Sequence, residues 1–94
     1  MSQIDILDQK FSANGDLAES RLGDETVMLH LTSGLYFGLD RISTEYWEQI
    51  KAGATTRNVC AEIAAKYGTP IDQVESDARR FLAELVANEA LSEA

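Results

Sequence analysis

The hydrophobic period of the chain changes once, at Asp40, and that change limits the fold more than any other feature. Before it, apolar residues recur at every second position: Val27, Leu29 and Leu31 in one run, then Leu35, Phe37 and Leu39 in the next. This is the period of a strand with one face on a core. Leu17–Leu22 alternates more loosely. Gly23-Asp24 and Thr32-Ser33-Gly34 separate the three runs. Turns this short join antiparallel neighbours, so the segment reads as a three-stranded meander. In this reading Val27, Leu29 and Leu31 face the core and His30 faces water. Residues 1–16 are interrupted by Asp5, Asp8, Asn14, Gly15 and Asp16 and read as a flexible lead-in with at most one short extended piece.

After Asp40 the period is 3.6. Asp40 is placed to cap a first helix carrying Ile42, Tyr46, Trp47 and Ile50, ended by Gly53. Thr55 or Thr56 opens a second helix with Val59, Cys60, Ile63, Ala64 and Tyr67 on one stripe and Gly68 after it. Thr69-Pro70-Ile71-Asp72 is a start signal: Thr69 caps, Pro70 takes the first helical position, and Asp72 meets the positive end of the helix dipole. The third helix runs to about Asn88 on a stripe of Ile71, Val74, Ala78, Phe81, Leu82, Leu85 and Val86. Leu91–Ala94 reads as a frayed tail. The fold class is α+β: a three-stranded antiparallel meander followed by three helices, like a winged helix-turn-helix, in one domain spanning 1–94.

Charge narrows the partners. The chain has 94 residues, 16 of them Asp or Glu against 8 Lys or Arg, a formal net charge of -8. Phosphate-rich partners attract basic surfaces, so neither nucleic acid nor an anionic membrane is expected as a partner. The third helix, in the recognition position of a helix-turn-helix pair, carries Asp72, Glu75, Asp77 and Glu84 against Arg79 and Arg80. A reading helix docked among phosphates should be neutral to basic. A small winged-helix DNA-binding regulator is thus the alternative from another class. A single cysteine, Cys60, and an N-terminus with no signal-peptide pattern point to the cytoplasm. No apolar run nears the length that spans a bilayer.

The chemical inventory is thin, and no catalytic residue is expected. His30 stands alone and cannot supply the three or four ligands that zinc requires. Cys60 lies within an apolar stripe without a base beside it in sequence, as a buried cysteine does. The carboxylates match no calcium or metal-helix motif. Gly34–Gly38 runs within a strand and opens no helix, so it is no phosphate cradle. The reading is no enzyme, no metal and no cofactor. What remains is a sheet edge: the third strand of a meander pairs on one side only, and its other side can accept an incoming strand.

The run Glu25-Thr-Val-Met-Leu-His-Leu-Thr-Ser-Gly-Leu-Tyr-Phe-Gly-Leu-Asp40 resembles the strand-turn-strand core of the PqqD-like family. Trp47, Gly53, the Thr56–Gly68 helix and Gln73–Leu85 extend the resemblance to about residues 11–91. It implies a RiPP recognition element, a small module that binds the leader of a ribosomally made precursor peptide. The leader adds as a strand to the third strand and packs on the third helix. Carried onto this chain, the peptide-binding residues are Leu35, Tyr36, Phe37 and Gly38 from the strand, with Asp77, Arg80, Phe81 and Glu84 from the helix. Asp77 and Glu84 lie two turns apart on one face, where either can meet a basic leader residue.

The aromatic pair in the third strand and the tryptophan in the first helix look closest to stand-alone leader binders of lasso-peptide systems. Their partner is a leader-processing cysteine protease, beside an ATP-dependent cyclase. The alternative within the family is a peptide chaperone for pyrroloquinoline quinone biosynthesis or another pathway with a radical SAM enzyme. Thr69-Pro70 falls one position earlier than the family's acid-proline helix start.

Overall fold

The computed structural model of the protein describes residues 4–94. A 3-10 turn at Ile6–Asp8 is followed by β1 (Phe11–Ala13), β2 (Leu17–Leu22), β3 (Glu25–His30), β4 (Tyr36–Leu39), α1 (Arg41–Lys51), α2 (Thr56–Tyr67), α3 (Ile71–Ala87) and β5 (Leu91–Glu93). The meander is present as the turns predict, with strand order β2-β3-β4, all antiparallel. Gly23 takes φ +64 in the turn that pairs Leu22 with Glu25, a conformation that glycine adopts without steric cost. The three helices follow in the expected order.

The faces of β3 are reversed from the sequence reading. Thr26, Met28 and His30 point into the protein, at 2%, 0% and 2% exposure. Val27 and Leu29 are half-buried on the outer face, and Leu31, just past the strand, is 63% exposed. The inward polar groups carry hydrogen bonds that make their burial affordable. Thr44 Oγ1 of α1 donates to Thr26 Oγ1 at 3.1 Å. Ser33 N–H donates to His30 Nδ1 at 3.2 Å, and the Asn14 amide lies 3.2 Å from Nε2.

α1 lies across this inner face. The Asp40 carboxylate accepts the Ser43 N–H at 2.8 Å, the cap that the sequence predicts. Trp47 is fully buried, and its indole N–H donates to Glu19 of β2 at 2.8 Å. Lys51 reaches the same carboxylate at 2.9 Å, so one acid pins the helix to the sheet twice. Ile42, assigned to the buried stripe, is 39% exposed, and Ile71 and Val86 at the ends of the α3 stripe are likewise exposed. α2 ends at Gly68 in the left-handed region, φ +64. α3 begins one residue later than predicted: Pro70 is the cap residue, with extended ψ, and the Thr69 side chain makes no cap bond.

Both chain ends depart from the expected lead-in and frayed tail. Residues 1–3 of the lead-in lie outside the described residues. Beyond them, Leu7 is fully buried and Phe11 is 8% exposed. β1 pairs antiparallel with β5, Phe11 opposite Glu93 and Ala13 opposite Leu91, and Leu91 is buried. Acidic residues that looked like signs of a loose segment are ion-pair partners. Asp8 binds Arg57 of α2 at 2.6 Å, and Asp5 bridges Arg57 at 3.2 Å and Arg79 of α3 at 2.8 Å.

The hydrogen bond from Arg79, helped by the Leu7 N–H, holds the Asp5 carboxyl below its ordinary 3.8, at about 2. The fold therefore favours ionised Asp5. Its stabilisation is complete above about pH 4 and is lost as the pH falls from there toward about 2. Asp5→Asn should melt below wild type at neutral pH, with the gap closing across that acid window. Thermal melts at a series of pH values test this, and a gap unchanged at both ends of the window would count against it.

Candidate functional site

In an antiparallel pair, the N–H and C=O of one residue point to the same edge and alternate along the strand. His30 N–H donates to Leu35 C=O at 2.9 Å, and the β3–β4 register continues as Met28 opposite Phe37 and Thr26 opposite Leu39. The C=O of Leu35 and the backbone groups of Phe37 and Leu39 therefore face β3, those of Tyr36 and Gly38 face the open edge, and the Leu35 N–H donates to the Ser33 hydroxyl at 3.3 Å. The parity that the sequence left open is fixed by this one bond.

Beside that edge runs a groove made of two adjoining cavities. The smaller, about 260 Å³, is lined by Tyr36, Phe37, Gly38 and Leu39 of β4, Ser43 of α1, and Phe81, Glu84 and Leu85 of α3. The larger, about 440 Å³, continues between α1 and α3, lined by Asp40, Ile42, Ser43, Tyr46, Asp77, Arg80, Phe81 and Glu84. Ser43, Phe81 and Glu84 are common to both.

Seven of the eight candidate residues line this groove. Tyr36 is 71% exposed at its mouth. Phe37 is half-buried and packs against the core, and Gly38 leaves the edge uncovered. Phe81 forms the wall, 6.0 Å between ring centroids from Tyr46, and Asp77 accepts from Arg80 at 2.9 Å on the rim. Leu35 is the exception: it precedes β4, is 42% exposed and lines neither cavity, although its carbonyl anchors the hairpin.

The wall contributed by α1 went unread in the sequence. Asp40, Ile42, Ser43 and Tyr46 looked like a cap and a core stripe. The usable signal was Asp40 directly after β4, which forces the first turn of α1 to sit at the end of the open strand.

Neither Cys60 nor His30 lines the groove. Cys60 is fully buried, and burial pushes its thiol above its ordinary value. Its polar neighbour is the Tyr46 hydroxyl at 3.8 Å, whose own pKa burial raises further. His30 is engaged with Asn14 and Ser33, away from Cys60. Burial outweighs the opposing field of Arg57 and Arg79 at this thiol and favours its protonated form. Among the described residues no helix is long and apolar enough to cross a membrane.

Comparison with known proteins agrees with this architecture. No curated protein matches the chain. A solved structure described as TbiB1 in complex with the TbiA(beta) leader peptide is similar, with a TM-score of 0.79 and 32% identity over 86% of this chain and 94% of that one. The family model for coenzyme PQQ synthesis protein D (PqqD) matches residues 25–91, from the start of β3 to the first residue of β5. The chain belongs to the PqqD family.

Proposed function

We propose that the protein is a RiPP recognition element: it binds the leader of a ribosomally made precursor peptide and presents it to a processing enzyme. The observation that carries this is an unpaired strand edge, Tyr36 to Gly38, lying beside a groove between α1 and α3 in a PqqD-family chain. Backbone pairing at the edge supplies affinity, and alternate side chains of the added strand enter the groove. The similar structure was solved with a leader peptide bound, which supports the same ligand class here. The binding residues are Tyr36, Phe37, Gly38, Asp77, Arg80, Phe81 and Glu84, with Leu35 holding the strand in place. The chain itself carries no reaction. The enzyme it serves is the cysteine protease that removes leaders in lasso-peptide pathways. A second reading, a peptide chaperone in pyrroloquinoline quinone synthesis or with another radical SAM enzyme, is favoured by the name of the family model.

DNA binding fits poorly. Arg57 and Arg79, the cations of the helix pair nearest the N-terminal segment, are already held by Asp5 and Asp8. Fluorescence polarisation tests the proposal with two ligands: a synthetic leader of the cognate precursor peptide, and duplex DNA. The leader should bind at about 1 µM or tighter, near -8 kcal/mol, and DNA should not bind at physiological salt. DNA binding that is tight and falls steeply with salt would replace the adaptor with a regulator.

A further inference from the structure

Four charged side chains line the groove, and the structure accounts for three of them. Asp40 caps α1 through the Ser43 N–H. Asp77 and Arg80 neutralise each other at 2.9 Å. Glu84 is different. Its backbone carbonyl accepts from Asn88, but its carboxylate has no hydrogen bond or ion pair among the described residues. It stands where the two cavities join, beside Phe81 and facing the β4 edge residues.

We propose that Glu84 is a specificity-determining residue that selects a lysine or arginine at one groove-facing position of the bound peptide. The proposal rests on the strand-addition reading above and sharpens it. An added strand turns every second side chain toward α3, and those positions are about 7 Å apart. A long basic side chain entering beside Glu84 lays its methylene stem along Phe81 and Leu85 while its charged head meets the carboxylate. The Phe81 ring offers the same cation a second favourable contact.

Rejection is as important as attraction. An acidic side chain at that position faces Glu84 and Asp40, and the one local cation, Arg80, is already held by Asp77. Like charges brought together at an interface suppress the wrong partner. Sequence spacing made Asp77 and Glu84 equal candidates for this role. The Asp77–Arg80 pair leaves Glu84 as the determinant.

A displayed library of random twelve-residue peptides, selected on the full-length protein at low salt, reads the preference directly. Recovered peptides should share one position where Lys and Arg outnumber Asp and Glu by about ten-fold, two or four residues from an apolar position. Glu84→Gln should abolish that bias and Glu84→Lys should invert it, while Glu62→Gln, exposed on α2 and outside the groove, leaves it in place. Glu84 is exposed, so both variants should fold, which circular dichroism checks. Peptides recovered without a basic bias, or a bias indifferent to Glu84→Gln, overturn this proposal and leave strand addition standing. Recovery of no peptide at all overturns both.

Discussion

Tyr36→Pro should fold and bind the peptide more weakly, whereas Phe37→Pro should fail to fold. Proline removes one backbone N–H, and neighbouring residues of β4 spend theirs on opposite edges. The Phe37 N–H faces β3, where Phe37 is paired with Met28 in the centre of the inner sheet. Losing that bond and straining the ladder costs about 3 kcal/mol or more, a large share of the roughly 5–15 kcal/mol that stabilises a small domain. The Tyr36 N–H faces the open edge, where proline is tolerated in natural sheets. There it removes a bond that only an added strand would make, worth about 0.5–1.5 kcal/mol, and its ring obstructs the approach. Binding should weaken by about ten-fold. Tyr36→Ala and Phe37→Ala separate the side-chain contribution from that of the backbone. Melts report folding and polarisation reports binding. If Tyr36→Pro binds leader as tightly as Tyr36→Ala, the peptide does not pair with this strand.

Leu7→Ala should be among the most damaging single truncations in the chain, although it falls in a segment that reads as a lead-in. Leu7 is fully buried within the core cluster that includes Trp47, Val59 and Leu82. Emptying such a site costs about 2–5 kcal/mol, which in a domain of this size lowers the melting temperature by about 10 °C or more. The comparison is Ile4→Ala, at a position 65% exposed, which should change little. A melting temperature within about 2 °C of wild type for Leu7→Ala would mean that the N-terminal segment does not form part of the core.

How much was legible depended on whether the deciding information was local. The meander and the three helices are set by turn residues and hydrophobic periods within a few positions of each element, and both could be read. The inward face of β3 could not, because beyond Glu25 neither row of side chains carries Asp, Glu, Lys or Arg, and hydropathy favours Val27 and Leu29. The hydrogen bonds that let Thr26 and His30 go inside come from Thr44, Asn14 and Ser33, in other elements. β1 and β5 escaped notice because three residues carry no period and each has its partner at the far end of the chain. The α3 half of the groove came from the family resemblance, with helical spacing choosing the residues. Its α1 half did not, because Ile42 and Tyr46 sit at the margin of a buried stripe, where a residue can line the core or a cleft.

The β1–β5 ladder also orders the folding of the chain. Pairing Phe11 with Glu93 closes a loop of roughly eighty residues, an entropy cost of about 4 kcal/mol from chain length alone. The β2–β3 hairpin closes over two residues and the β3–β4 hairpin over a short turn. Until the meander and helices have brought the ends together, that long closure has nothing to offset it, so the terminal ladder is the last element to form and the first to open. The ends of the chain thus act as a latch on a body already built, and the peptide edge at β4 belongs to the part that folds before the latch closes.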